Sequence, residues 1–161
     1  MWAIKRPDGL RHHAREVAFP GGKPDPEDSD LLATATREFE EEIGIERSKL
    51  EYLGELSPVP PATSRFLIHP FVACVESGAE ARPSAGEVAA LIVAPLRDFY
   101  NGAVPYRGVE VGGSLSPIFD FEVGSMYGAT AHVLEELLEI YGELAGVRLP
   151  TPELTDVIPW Q

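Results

Sequence analysis

Fifteen glycines and fifteen prolines are scattered through a chain of 161 residues. Proline interrupts helices and glycine marks turns, so this density predicts a loop-rich fold and excludes a helical bundle. The length suits one domain, or one domain with a tail. Hydrophobic residues make up 44% and charged residues 24%, which is ordinary globular usage and argues against disorder.

Between the turn signals, two stretches have a helical period. Ser29 or Asp30 can cap a helix over Leu31 to Ile43, whose face carries Leu32, Thr36, Phe39 and Ile43, and Gly44 supplies its stop. Thr130 to Tyr141 is the second helix, with an apolar face of Val133, Leu134, Leu137, Leu138 and Tyr141. Strands are expected at Trp2–Ile4, Leu50–Leu56, Phe66–Glu76 with Pro70 marking a bend or edge, Val88–Val93 and Ile118–Val123, and Val17–Phe19 is a short apolar run closed by Pro20-Gly21-Gly22. Residues 95–100 read as a short helical turn, and residues 101–117 as a long loop with a hairpin. Strands alternating with well-formed helices predict an α+β or mixed α/β domain over residues 1–141, followed by a proline-rich tail over 142–161. The single cysteine, Cys74, lies in Phe71-Val72-Ala73-Cys74-Val75 and reads as a small core residue on a buried strand.

The formal charge of -13 disfavours nucleic-acid polymers and anionic membrane surfaces as partners. No apolar run is long enough to span a bilayer, and the N-terminal stretch lacks the apolar core of a secretory signal, so a cytoplasmic protein is expected. The charge is uneven. Residues 27–55 hold ten acids and three bases, whereas residues 1–26 hold five bases and three acids. A basic stretch directly before an acidic one fits an anion-binding mouth beside a cation site; a solvated helix face is the alternative.

The acidic block is sharpest at Arg37-Glu38-Phe39-Glu40-Glu41-Glu42-Ile43-Gly44-Ile45. Glu38, Glu41 and Glu42 stand three and four residues apart, so all three project within about 100° of helix circumference. Like charges at that spacing destabilise a helix by a few tenths of a kcal/mol per pair unless a cation neutralises them. Carboxylate oxygens suit Mg²⁺ or Mn²⁺, which keep waters and accept phosphate oxygens. Arg37 stands four residues before Glu41 and can orient a carboxylate. Upstream, Gly21-Gly22 permits close approach of a ligand to backbone. Ser64 and Ser114 lack a His/Asp pattern for nucleophilic catalysis. His12 and His13 read as surface residues, and His69 and His132 as structural ones.

These residues resemble a Nudix box, G-x5-E-x7-R-E-U-x-E-E-x-G-U with U apolar. The second half matches from Arg37 to Ile45 and the first from Gly21 to Glu27, but the interval from Glu27 to Arg37 is two residues longer than the general pattern. Boxes of the coenzyme A diphosphatase branch share that longer interval. They are similar here at Phe19-Pro20-Gly21-Gly22-Lys23, Asp25, Asp28, Thr34-Ala35 and Arg37-Glu38. Arg6 and Arg11 fall on matching positions of that branch's upstream motif, in which Trp2-Ala3-Ile4, Pro7 and Arg15 depart from the pattern. Glu87-Val88 to Pro95-Leu96 and Tyr127-Gly128-Ala129-Thr130-Ala131 resemble two later segments.

The resemblance implies a Nudix-like α/β/α sandwich with a mixed β-sheet, and hydrolysis of a diphosphate linkage using Mg²⁺ or Mn²⁺. It implies Glu38 and Glu42 as direct ligands, with Glu41 either a third ligand or the activator of water. Glu87 is a candidate base or additional ligand, with a capping or solvent-facing role as the alternative. Arg6, Arg11, Phe19, Gly21, Gly22 and Lys23 are the candidate substrate contacts, and Arg37 completes the catalytic set. The expected substrate is a small nucleotide derivative: coenzyme A or an acyl derivative, cut to 3′,5′-ADP and 4′-phosphopantetheine. ADP-ribose or a nucleoside triphosphate is the alternative substrate, and a non-catalytic nucleotide-binding module the alternative role. The first strand usual in such a fold is short here, leaving a sheet edge for the tail or a second subunit of a homodimer to cover.

Overall fold

The computed structural model describes residues 1–8, 16–61 and 66–159. It divides into two compact units, one of Trp2–Leu56 with His69–Ile92 and one of Met1, Ser57–Ile68 and Val93–Gln161. The architecture is mixed α/β, with three ladders of strands and three α-helices among the described residues.

In the first unit, β1 (Trp2–Lys5) pairs antiparallel with β2 (Val17–Ala18) in the register Ile4↔Ala18. On its other side β1 neighbours β5 (Ala90–Val93). A second ladder joins β3 (Leu50–Glu55) to β4 (Phe71–Val75), with a register shift between Tyr52 and Gly54. Helix α1 spans Leu31–Ile43, as its period predicts. Asp30 is the cap: its Oδ1 accepts from Ala33 N–H at 2.8 Å, satisfying one of the first-turn donors. Gly44 ends the helix in the left-handed conformation, φ 74°, and its N–H reaches the Glu40 carbonyl. Arg82 and Ser84 then donate backbone N–H groups to the carbonyls of Ile43 and Glu42, satisfying two more end groups. Ile43 is buried with Ile4, Ile45 and Val88, and Trp2, Phe39, Val75 and Leu91 pack around them. This core fixes one side of α1.

Three expectations change here. The strand expected over Phe66–Glu76 shortens to β4, because Pro70 lacks the N–H that a ladder needs; Ile68 instead forms an isolated bridge with Val59. Val88 is held in a turn by its bond to Ser84, so β5 begins at Ala90. Cys74 is exposed and not a core residue. Val75 packs on the core, whereas Ala73 and Cys74 before it are exposed.

In the second unit, β6 (Tyr106–Val111) and β7 (Ser114–Phe121) form a hairpin closed by Gly112 and Gly113, both left-handed. It replaces most of the loop expected over 101–117. β8 (Gly124–Met126) extends it antiparallel, and β9 (Glu153–Leu154) pairs parallel to β6. The short helix α2 (Arg97–Tyr100) buries Phe99 edge-on to Phe119, with ring centres 5.8 Å apart. Helix α3 (Gly128–Ala145) runs four residues past its expected end and buries Ala131, Val133, Leu134 and Leu138. Part of the expected tail is therefore helix and strand. No helix among the described residues is long and apolar enough to cross a membrane.

Candidate active site

Arg37 is the hub of the acidic side of α1. Its Nε and Nη2 donate to the two carboxylate oxygens of Asp28, each at 3.0 Å. Its Nη1 donates to Glu38 Oε1 at 3.0 Å and to Glu41 Oε2 at 3.1 Å, and Nη2 also reaches the Lys23 carbonyl at 3.2 Å. The fork of a guanidinium matches a carboxylate in this bidentate way. Asp28 is itself held. Its Oδ2 accepts from Asp25 N–H at 2.8 Å and from Thr34 Oγ1 at 2.9 Å. The Arg37 bonds keep the Asp28 carboxyl well below the usual carboxylate range, and Asp28 in turn raises the Arg37 pKa.

Glu42 sits in a different environment, on the same helix and one residue from Glu41. It is 5% exposed. Its Oε2 accepts from Gly21 N–H at 3.0 Å, and its Oε1 lies 3.8 Å from Arg6 Nη1. Burial pushes its carboxyl up to about 7, and the charges of Glu38 and Glu87 add to the rise against the pull of Gly21 and Arg6. Arg6 Nε is buried with no hydrogen-bond partner among the described residues. Gly22 lies directly against Glu38: a Cβ built there would stand 2.2 Å from Glu38 Oε1. Gly21 has φ 154°, a conformation that side-chain-bearing residues avoid.

The expected site residues thus divide. Arg37, Glu38 and Glu41 form one bonded group, with Gly22 packed on Glu38. Glu42, Gly21 and Arg6 form another, within the electrostatic reach of Glu38 and Glu87. Lys23 enters through its backbone carbonyl, its side chain being exposed, and Phe19 is half-buried after β2. Arg11, with His12, His13, Arg15 and Ser64, lies outside the described residues. His132 stands beside Glu135, 3.6 Å away, on α3.

Sequence reasoning gave Asp28 no role. The signal was present: counted from Gly22 instead of Gly21, the same five-residue spacing ends on Asp28 rather than on Glu27.

The donor set here is all carboxylate oxygen, the chemistry that hard divalent cations take. Among the described residues no three His, Cys, Asp or Glu side chains are already gathered as a ligand set. Glu38 and Glu41 are instead ion-paired with Arg37. Glu42 is buried within the electrostatic reach of Glu38 and Glu87, and a cation beside it would offset the cost of burying its charge, so the residues fit such an ion.

Comparison with known proteins decides the family. Residues 1–110 match the NUDIX domain. The chain belongs to the Nudix hydrolase family. A protein of Yersinia enterocolitica named "Uncharacterized Nudix hydrolase NudL" is 46% identical over 114 residues, covering 64% of this chain and 58% of that one. A protein of the same name from Photorhabdus laumondii is 32% identical over 138 residues, covering 84% and 73%. One from Yersinia pestis is 43% identical over 94 residues, covering 58% and 47%. The Nudix match reaches from β1 into β6, so it takes in α1 and the groups bonded to Arg37 and Glu42.

Proposed function

We propose that this chain hydrolyses the diphosphate linkage of coenzyme A or an acyl derivative, releasing 3′,5′-ADP and 4′-phosphopantetheine. Family membership supports the reaction class. The coenzyme A branch is favoured by the segment Phe19 to Lys23, the longer interval before Arg37, and Arg6. The family's α/β/α sandwich is the frame we assign to it.

The observation that carries this reading is the state of Glu42, buried, bonded to Gly21 N–H and close to other carboxylates. Such a group is costly to ionise without a cation. Glu42 and Glu38 would hold Mg²⁺ or Mn²⁺, with Glu41 a third ligand or the residue that takes a proton from water. A cation bound there supplies charge stabilisation at the phosphate oxygens and a water of lowered pKa. Arg37 orients Glu38 and Glu41. Gly21 and Gly22 let a phosphate approach the backbone, while Arg6, Arg11 and Lys23 offer positive charge to a polyanionic substrate. Glu87 stands as a further base or ligand.

The test is a substrate panel of coenzyme A, acetyl-coenzyme A, ADP-ribose and nucleoside triphosphates, each with Mg²⁺ and with Mn²⁺. Metal-dependent release of 3′,5′-ADP from coenzyme A, lost in Glu42→Gln, is the expected result. Faster turnover of ADP-ribose or a triphosphate would overturn the substrate. Full turnover by Glu42→Gln would overturn the site.

A further inference from the structure

Past the Gly44 stop of α1 lies a cavity of about 310 Å³ that shares no residue with the groups bonded to Arg37 and Glu42. One wall is the segment after α1, which makes a single 3₁₀ turn over Arg47–Lys49. The other is the segment after β4, where Gly78 turns in the left-handed region at φ 84°. Two backbone bonds clamp the walls together. Glu76 N–H donates to the Lys49 carbonyl at 2.9 Å, and Arg82 N–H donates to the Ile43 carbonyl at 2.8 Å. Gly44 tightens the clamp, because a Cβ there would stand 2.3 Å from the Arg82 backbone oxygen. Ile45 and Ala79 line the same space and are packed into the core of this unit. The cavity is thus held open by the fold itself, and its volume is at the lower end of the small-molecule range.

Four charged side chains line it, Glu46, Lys49, Glu80 and Arg82. They do not satisfy one another. Among the described residues Lys49, Glu80 and Arg82 form no ion pair, Glu46 accepts from Ser48 Oγ at 3.3 Å, and Arg47 pairs with Glu40 instead. The chain has 26 acidic and 13 basic residues, so carboxylate partners are plentiful, and Arg6, Arg37, Arg97 and Arg107 each have one.

We propose that this cavity binds a small zwitterion of amino-acid size, with its carboxylate on Lys49 and Arg82 and its ammonium on Glu46 and Glu80. Charge selects the ligand class. A simple anion would enter against a formal charge of -13 and meet two glutamates, and a simple cation would meet Lys49 and Arg82. A zwitterion adds no net charge and gives every lining group an opposite. The guanidinium fork of Arg82 suits both oxygens of a carboxylate. The site stands apart from the proposed hydrolysis and needs neither a divalent cation nor coenzyme A.

The test titrates the full chain with a panel of amino acids, β-alanine included, and with acetate, ethylamine and inorganic phosphate as probes of one charge sign. Backbone amide NMR shifts of Gly44, Gly78 and Arg82 report binding without turnover, and the melting temperature reports its linkage to folding. At least one amino acid should move these amides to saturation with a Kd on the order of 1 mM or tighter, and should raise the melting temperature. Acetate and ethylamine should each bind about tenfold more weakly, since each keeps only one of the two charge-assisted contacts. Arg82→Gln and Glu80→Gln should each weaken the amino acid about tenfold for the same reason. Both side chains are exposed and unpaired, so both variants should melt within about 2 °C of wild type. No amide movement with any amino acid at about 10 mM, or undiminished binding in either variant, overturns the site. Acetate or phosphate binding as tightly as the best amino acid shows a plain anion site and overturns the ligand class.

Discussion

Gly22→Ala separates chemistry from stability at this site. Gly22 is not among the glycines of positive φ, so an alanine can adopt its backbone conformation. What an alanine cannot do is share space with Glu38. Its Cβ would stand 2.2 Å from Oε1, 2.3 Å from Cδ and 2.6 Å from Oε2 of that side chain. Carbon and oxygen approach comfortably to about 3.3 Å, so the carboxylate must retreat by about 1 Å. It is the end of a flexible side chain, and the move costs little folding energy. A displacement of about 1 Å in a catalytic group can cost on the order of 10²-fold in rate, equivalent to about 2.7 kcal/mol. The expected outcome is a melting temperature within a degree or two of wild type, a kcat about a hundredfold lower, and weaker Mn²⁺ binding. Gly21→Ala should behave in the opposite way. Its Cβ would meet nothing within 4 Å, but its φ of 154° strains any other residue by about 1–3 kcal/mol. Thermal melts and metal-dependent hydrolysis of coenzyme A, run on both variants, check this. If Gly22→Ala keeps more than about a third of wild-type kcat, or if it loses activity only by unfolding, the reasoning fails.

Glu42 should make stability depend on pH when divalent cations are absent. Its carboxyl titrates near 7 in the folded chain against 4.5 as its ordinary value, so between these limits the folded state binds more protons than the unfolded one. Stability then falls as pH rises through that window, by up to about 3 kcal/mol. Melts in EDTA from pH 5 to 8 should show this fall in wild type and a flatter profile in Glu42→Gln, and parallel profiles would contradict it. Gly44→Ala should lower the urea midpoint by the equivalent of about 2–3 kcal/mol, since Gly44 has φ 74° and its Cβ would stand 2.3 Å from the backbone oxygen of Arg82. An unchanged midpoint would show that this end of α1 is not tightly held.

What the sequence disclosed follows from the range of the interactions involved. Helix α1 was legible to the residue, because its cap, its apolar stripe and its terminal glycine are all local. The clustering of its carboxylates was legible because residues three and four apart lie together on a helix. Three things were not. A hairpin was expected within residues 101–117, but not that its strands, joined by the left-handed Gly112 and Gly113, would take up most of a stretch whose glycines and prolines read as loop. Cys74 looked buried because its neighbours are apolar, and its exposure depends on which residues of the fold cover β4, which a local run does not reveal. The bond from Asp28 to Arg37 spans nine residues, from the segment before α1 into the helix itself, a separation at which helical spacing says nothing about contact.

The acidic block also proves to be several environments under one charge count. Ten acids against three bases over residues 27–55 suggest uniform repulsion. Yet Asp28 is neutralised by a bidentate guanidinium, Glu38 and Glu41 share the remaining face of that same group, and Glu42 has Arg6 at 3.8 Å. One arginine is therefore shared by three carboxylates, and the fourth is buried with only the more distant Arg6 as a charge partner. Adjacent residues on a helix point about 100° apart, which is why Glu41 stays at the surface with its side chain 52% exposed while Glu42 is enclosed. Exposure leaves Glu41 able to swing away from Arg37, whereas enclosure fixes Glu42 in place with an unfavourable charge. The immobile carboxylate, and not the most exposed one, is the group whose ionisation a divalent cation would change most.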